Sequence, residues 1–208
     1  METKKMITII DYGIGNLGSI KNMFRRISVK AEIVSDPDAI ARASKILLPG
    51  VGSFDAAIRT LEARGIKEIL DHKVVQEQVP ILGICLGMQL LTNGSEEGKL
   101  PGFGWIDAET KRIPSGPGLK IPHMGWNSVQ KTTESLMTQG LDQEARFYFV
   151  HSYAVTAKDP KTMILETEYG VKFASAIQNK NVFGMQFHPE KSHKFGMQIF
   201  KNFQALPC

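Results

Sequence analysis

Ile81-Leu82-Gly83-Ile84-Cys85-Leu86-Gly87 is the stretch on which the reading of this chain turns. Val79 to Ile84, opened by Pro80, is apolar almost throughout and reads as a buried strand. Leu86 to Thr92 reads as the start of a helix, with Met88, Leu90 and Leu91 among its apolar residues. Cys85 therefore stands where a strand turns sharply into a helix. Gly83 and Gly87 flank it as G-x-C-x-G, the cysteine counterpart of the nucleophile elbow. Such a turn exposes its central side chain and leaves no room for Cβ atoms two residues to either side. The helix N-terminus beneath it favours a thiolate and offers N–H groups to an oxyanion. A buried structural cysteine at a strand end is the plainer alternative.

Upstream, strands alternate with helices. Met6 to Asp11 is the first strand, and Asn16 to Ile27 a helix with Leu17, Ile20, Phe24 and Ile27 on one face. Lys30 to Val34 is a strand. Asp36-Pro37-Asp38 starts a short helix ending near Ala43. Lys45 to Pro49 is a strand, Ser53 to Arg64 a helix capped by Ser53, and Ile66 to Lys73 another helix. This alternation implies a mostly parallel central sheet with helices on both faces, an α/β fold whose ligands bind beyond the carboxyl ends of the strands. Three loops reach that edge: 11–18, 50–53 and the Cys85 elbow.

Downstream the texture changes. Ser95 to Gly118 is rich in Gly, Pro and charge. Strand-like runs follow at Trp126 to Gln130, Arg146 to Tyr153, Met163 to Glu168, Phe173 to Gln178 and Val182 to Phe187. Asn179-Lys180-Asn181 suggests a hairpin, and Lys194 to Ala205 a closing helix. The second half is expected to complete one domain over residues 1–208 with an added, partly antiparallel sheet. At 208 residues, 42% apolar and 22% charged, the chain has the composition of a soluble globular domain. No stretch is long and apolar enough to span a membrane, and the Met1–Lys5 start leaves no room for a signal peptide. The only cysteines, Cys85 and Cys208, exclude a disulfide framework and suit a reducing cytoplasm. A net charge of +4 spread along the chain, without a basic stripe, argues against nucleic-acid binding.

Phe187-His188-Pro189-Glu190 ends the last strand. A histidine whose second nitrogen meets a carboxylate is the base half of a triad, so Cys85, His188 and Glu190 supply nucleophile, base and orienter in residue type. Taken singly, His188 reads as a core or surface histidine and Glu190 as a helix-leading charge. Pro49-Gly50-Val51-Gly52 closes the third strand, and a backbone N–H there, with that of Leu86, is placed to complete an oxyanion hole. A competing reading comes from Gly13-Ile14-Gly15-Asn16-Leu17-Gly18, a G-x-G-x-x-G between strand and helix, with Asp36 about where a ribose-binding acid belongs. That reading makes the chain a dinucleotide-binding module and leaves the Cys-His-Glu set without a purpose.

With these residues together the chain resembles the class I (triad-type) glutamine amidotransferases, and more narrowly the glutaminase subunits of imidazole glycerol phosphate synthases. The resemblance runs through 11–17, 48–52, 83–91, Ser95-Glu96-Glu97-Gly98, Pro122-His123-Met124-Gly125-Trp126-Asn127, 147–153 and Gln186-Phe187-His188-Pro189-Glu190. It implies a flavodoxin-like fold and hydrolysis of glutamine through a Cys85 thioester. Val51, Gly52 and Leu86 would face the oxyanion. Gly50 and Gly52 would let the Val51 peptide rotate without a Cβ clash, so that its N–H points away at rest and swings in on activation. Gln89, Glu96, Ser152 and Tyr153 would hold glutamine. No metal or cofactor is implied. Ammonia would pass to a (β/α)₈-barrel cyclase docked near Asn16, His123, Trp126 and Tyr148, as part of histidine biosynthesis; paralogous subunits feed surface-sugar amidation instead. The loop at 13–18 would face that partner and bind no dinucleotide.

Overall fold

The computed structural model describes residues 6–116 and 118–207, so the Met1–Lys5 start and Cys208 fall outside the described residues. The first half runs β1 (Ile7–Ile10), α1 (Leu17–Arg26), β2 (Ala31–Val34), α2 (Pro37–Ala41), β3 (Ile46–Leu48), α3 (Phe54–Ala63), α4 (Ile66–Asp71), β4 (Ile81–Ile84) and α5 (Leu86–Leu90). The second adds β5 (Gly94–Ser95), β6 (Ala108–Arg112), β7 (His123–Ser128), β8 (Gln130–Lys131), β9 (Arg146–His151), β10 (Tyr153–Ala157), β11 (Met163–Tyr169), β12 (Val171–Asn179), β13 (Val182–Met185) and α6 (His193–Ala205).

β1, β3, β4 and β13 are buried at every position, as expected of strands covered on both faces. They form, with β2, the parallel block of an eleven-stranded sheet ordered β2-β1-β3-β4-β13-β12-β10-β6-β5, with β11 and β8 branching from β12. Ile20 and Phe24 of α1 and Ile199, Phe200 and Phe203 of α6 pack on one face; Ile58 and Leu61 of α3, Leu70 of α4 and Met88 of α5 pack on the other. The decisive pairing is β4 with β13. Gly83 lies beside Gly184 and Ile84 beside Met185, in parallel. The chain therefore leaves β4 toward Cys85 and β13 toward His188 at the same sheet edge.

The expected antiparallel addition is present in two parts, one joined to the central sheet and one separate. β12 hydrogen-bonds to β13, so the first part extends the central sheet; only the β7–β9 ribbon stands apart as a two-stranded sheet. Within the stretch 95–118 lies β6, which pairs with β10. The run at 146–153 breaks at Ser152 into β9 and β10, which join different sheets. The 179–181 turn is a hairpin, with Asn179 opposite Val182 and Lys180 at φ 51°. Ser53 makes no side-chain capping bond; Glu97 Oε2 accepts the Phe54 N–H at 2.9 Å instead. Among the described residues no helix is long and apolar enough to cross a membrane.

Candidate active site

Cys85 sits at φ 54°, ψ −110°, a conformation non-glycine residues rarely adopt and which costs about 1–3 kcal/mol. The surroundings impose it. The Cys85 N–H donates to the Met185 carbonyl at 2.7 Å, tying the elbow to β13. A Cβ at Gly87 would run into the Leu48 carbonyl, and one at Gly83 into the Gly87 backbone. Both flanking glycines are thus needed for close packing at the turn. The Leu86 N–H follows at the first position of α5, where no intrahelical acceptor exists.

His188 is held from three sides. Its N–H donates to the Tyr148 carbonyl at 2.9 Å, and its carbonyl accepts from Ser192 Oγ at 2.7 Å. Its Nδ1 lies 2.8 Å from Glu190 Oε1, with both side chains almost wholly buried. A carboxylate acceptor there puts the proton on Nδ1 and leaves Nε2 as the base. Nε2 is buried and has no hydrogen-bond partner in this state. Burial lowers the His188 pKa, but the Cys85 sulfur as a thiolate and the Glu190 carboxylate outweigh it and raise the pKa to about 10, which favours a thiolate–imidazolium pair.

A cleft of about 360 Å³ opens over these groups, lined by Cys85, His188, Val51, Gly52, Leu86, Gln89, Glu97, Ser152 and Tyr153. Glu96 is absent from it. Glu96 is exposed and its Oε2 accepts the Arg112 N–H at 2.8 Å. Ser95 Oγ accepts the Glu97 N–H at 3.1 Å, and this tight turn presents the second carboxylate, Glu97, to the cleft. Two acidic residues in succession gave the sequence no means of choosing between them.

On the 49–52 strand the two glycines do different things. A Cβ at Gly50 would fall 2.8 Å from the Gly87 nitrogen and 2.9 Å from both Leu86 Cβ and Tyr12 Oη. Gly50 therefore serves close approach, and any side chain there would collide. Gly52 has open space and φ 96°, so the freedom lies there. Buried Tyr12 donates from Oη to the Pro49 carbonyl at 2.7 Å, and burial raises its pKa.

The residues expected at a partner surface divide. Asn16 is exposed and caps α1, its Oδ1 accepting the Ser19 N–H at 3.4 Å. Trp126 is 44% exposed and meets half-buried Tyr148 edge-on. His123 is buried, stacked 4.0 Å from the Tyr169 ring and 4.8 Å from Phe149. Three positions apart on β7, His123 and Trp126 must point to opposite faces. The dinucleotide reading loses its supports: Gly18 has normal φ and open space around it, and Asp36 caps α2 through the Ala39 N–H. Gln186 and His151 were missed as site residues. Both lay inside segments already singled out, next to His188 and Ser152, and only side-chain geometry gives them a task.

The class-I glutamine amidotransferase family model matches residues 8–205. A relative named imidazole glycerol phosphate synthase subunit HisH 2, from Methanococcus maripaludis, is 53% identical over 95% of this chain and 98% of its own. Another of that name, from Pseudomonas aeruginosa, is 48% identical over 97% and 100%. A chain of PurLQS from Thermotoga maritima superposes with a TM-score of 0.74, at 18% identity over 97% of this chain and 98% of that one. With the elbow cysteine, the His-Glu pair and the cleft in place, the chain belongs to the class-I glutamine amidotransferases, among the HisH subunits of imidazole glycerol phosphate synthase.

Proposed function

We propose that this protein hydrolyses glutamine to glutamate and delivers the ammonia to a partner synthase subunit in histidine biosynthesis. The observation that carries the reading is the strained Cys85 elbow sharing one cleft with the buried His188–Glu190 pair. Cys85 gives its proton to His188 Nε2, and the thiolate attacks the side-chain amide carbon of glutamine. The oxyanion forms against N–H groups of the Leu86 turn and the Val51–Gly52 strand. His188 returns the proton to the departing nitrogen, which leaves as ammonia, and a glutamyl thioester remains. Water, deprotonated by His188, then cleaves the thioester to release glutamate. Glu190 keeps the proton on Nδ1 throughout. Gln89, Glu97, Ser152 and Tyr153 hold the amino-acid end of glutamine, Glu97 taking the place first given to Glu96.

The partner is a (β/α)₈-barrel cyclase that consumes ammonia, docked over Asn16, Trp126 and Tyr148. Support comes from the exposed apolar face of β7–β9, where Met124 and Trp126 stand 61% and 44% exposed. The test is Cys85→Ala in the complex. Glutamine-dependent product formation is abolished, while synthesis from added ammonium persists. Loss of both, in a variant that still binds its partner, overturns the reading.

A further inference from the structure

From the wall of the cleft, where Gln89 and His151 line it, a chain of polar side chains runs inward with one fixed direction. It starts at the Tyr153 carbonyl, which can only accept. His151 Nδ1 reaches it at 2.7 Å and Gln89 Nε2 at 3.2 Å. The first contact puts the proton of His151 on Nδ1, so its Nε2 must accept from His123 Nδ1, 3.0 Å away. His123 Nε2 then accepts from Asn127 Nδ2 at 3.3 Å, and that nitrogen also donates to the Glu168 carbonyl at 3.0 Å. Every link fits neutral imidazoles. Burial agrees, lowering His151 to about 3 and His123 to about 4.

The other branch leads to the nucleophile. Because Gln89 turns its NH₂ to Tyr153, its second N–H goes to Gln186 Oε1 at 3.2 Å. That fixes the Gln186 amide, whose NH₂ faces the Cys85 sulfur at 3.8 Å, a hydrogen-bond distance for sulfur. Gln186 is fully buried and takes no part in lining the cleft. The sulfur's other partner is the Val150 carbonyl at 3.9 Å, which only the protonated thiol can use. A donor strengthens its bond when sulfur becomes a thiolate; an acceptor loses its bond.

We propose that Gln186 is a positioning residue for Cys85: its amide donor steadies the thiolate, in an orientation handed down from the Tyr153 carbonyl, which the neutral His151–His123 pair holds in place. The proposal rests on Cys85 being the nucleophile. It is read on the thiol itself, so its failure and that of the glutaminase reading are distinguishable. The titratable groups facing the sulfur are His188, backed by Glu190 and flanked by His151, and Tyr12. Glu97 lies across the cleft.

The experiment follows iodoacetamide alkylation of Cys85 against pH in the full-length Cys208→Ser protein, with and without Gln186→Leu. The alkylation midpoint should rise by about 1 to 2 pH units on loss of a hydrogen bond to a charged group. In the complex, kcat should fall about 10- to 100-fold with KM for glutamine unchanged. Gln186→Glu keeps the shape and removes the donor, and carries the test if Gln186→Leu does not fold; its carboxylate raises the midpoint further. His151→Phe, which keeps the ring packing, should move the midpoint the same way by less. A folded Gln186→Leu or Gln186→Glu protein with the parent midpoint overturns the proposal.

Discussion

At the scale of single residues, the site is a set of atoms whose protons have been assigned by their neighbours. Glu190 determines that His188 carries its proton on Nδ1, and burial of both leaves no water to compete. Glu190→Gln removes the charge and lets the imidazole take the other tautomer. Its kcat should fall about 10²-fold or more, with glutamine KM little changed. Steady-state glutamate release checks this, and an unchanged kcat would remove Glu190 from the triad. This placement was legible in the sequence because each residue sits at a strand end with a marker beside it: glycines around Cys85, a proline between His188 and Glu190. That Glu97 and not Glu96 lines the cleft was not legible, because it depends on a turn closed by Ser95 Oγ. Nor was the task of Gln186, which sets nothing by its position in the chain and everything by which way its amide faces.

At the scale of elements, the β7–β9 ribbon does two jobs on its two faces. Period-two alternation sends Met124 and Trp126 out and His123, Gly125 and Asn127 in. The parallel half of the sheet was readable from continuous apolar runs, whereas the ribbon was blurred because β9 and β10 read as one strand until Ser152 sends them apart. The inward face has a thermodynamic consequence. His123 and His151 are held neutral, with pKa values lowered to about 4 and about 3, against about 6.5 unfolded. Below pH 6.5 the unfolded chain takes up protons that the native state refuses, so stability falls as pH falls. His188 has the opposite sign. Its pKa is raised to about 10, so its contribution is complete below about 6.5 and is lost as pH rises toward 10. Urea midpoints should therefore peak near pH 6.5. His123→Phe, which suits the Tyr169–Phe149 stack, should flatten the acid side alone. A midpoint unchanged between pH 7 and pH 5 would show that the pair does not titrate as its burial requires.

At the scale of the whole molecule, the question is when the site fires. Ammonia released into neutral water is protonated and loses the lone pair that makes it useful. A glutaminase serving a partner therefore gains by waiting for an acceptor. The fold offers a place for that control. Pro49 is pinned by Tyr12 and Gly50 is wedged against Leu86 and Gly87, while Gly52 stands free at φ 96°. Two peptides lie between these glycines, and the one that adjoins the free Gly52, Val51–Gly52, is placed to turn its N–H toward or away from the oxyanion. One absent donor costs about 10²–10³ in rate, ample for a switch. The ribbon that carries Trp126 and Tyr148 on its outer face also holds the His188 N–H through the Tyr148 carbonyl. Contact there reaches His188 within one residue. For the partner to act it must bind the competent form better than the resting one. The isolated subunit should then hydrolyse glutamine slowly, and partner plus acceptor ligand should raise kcat by about 10²-fold or more while lowering KM less. Tyr12→Phe releases the Pro49 carbonyl and should narrow that ratio by weakening control of the strand. Glutamate release measured for the subunit alone, with partner, and with partner plus ligand decides the matter: equal kcat in all three rules out a latent site while leaving the triad in place.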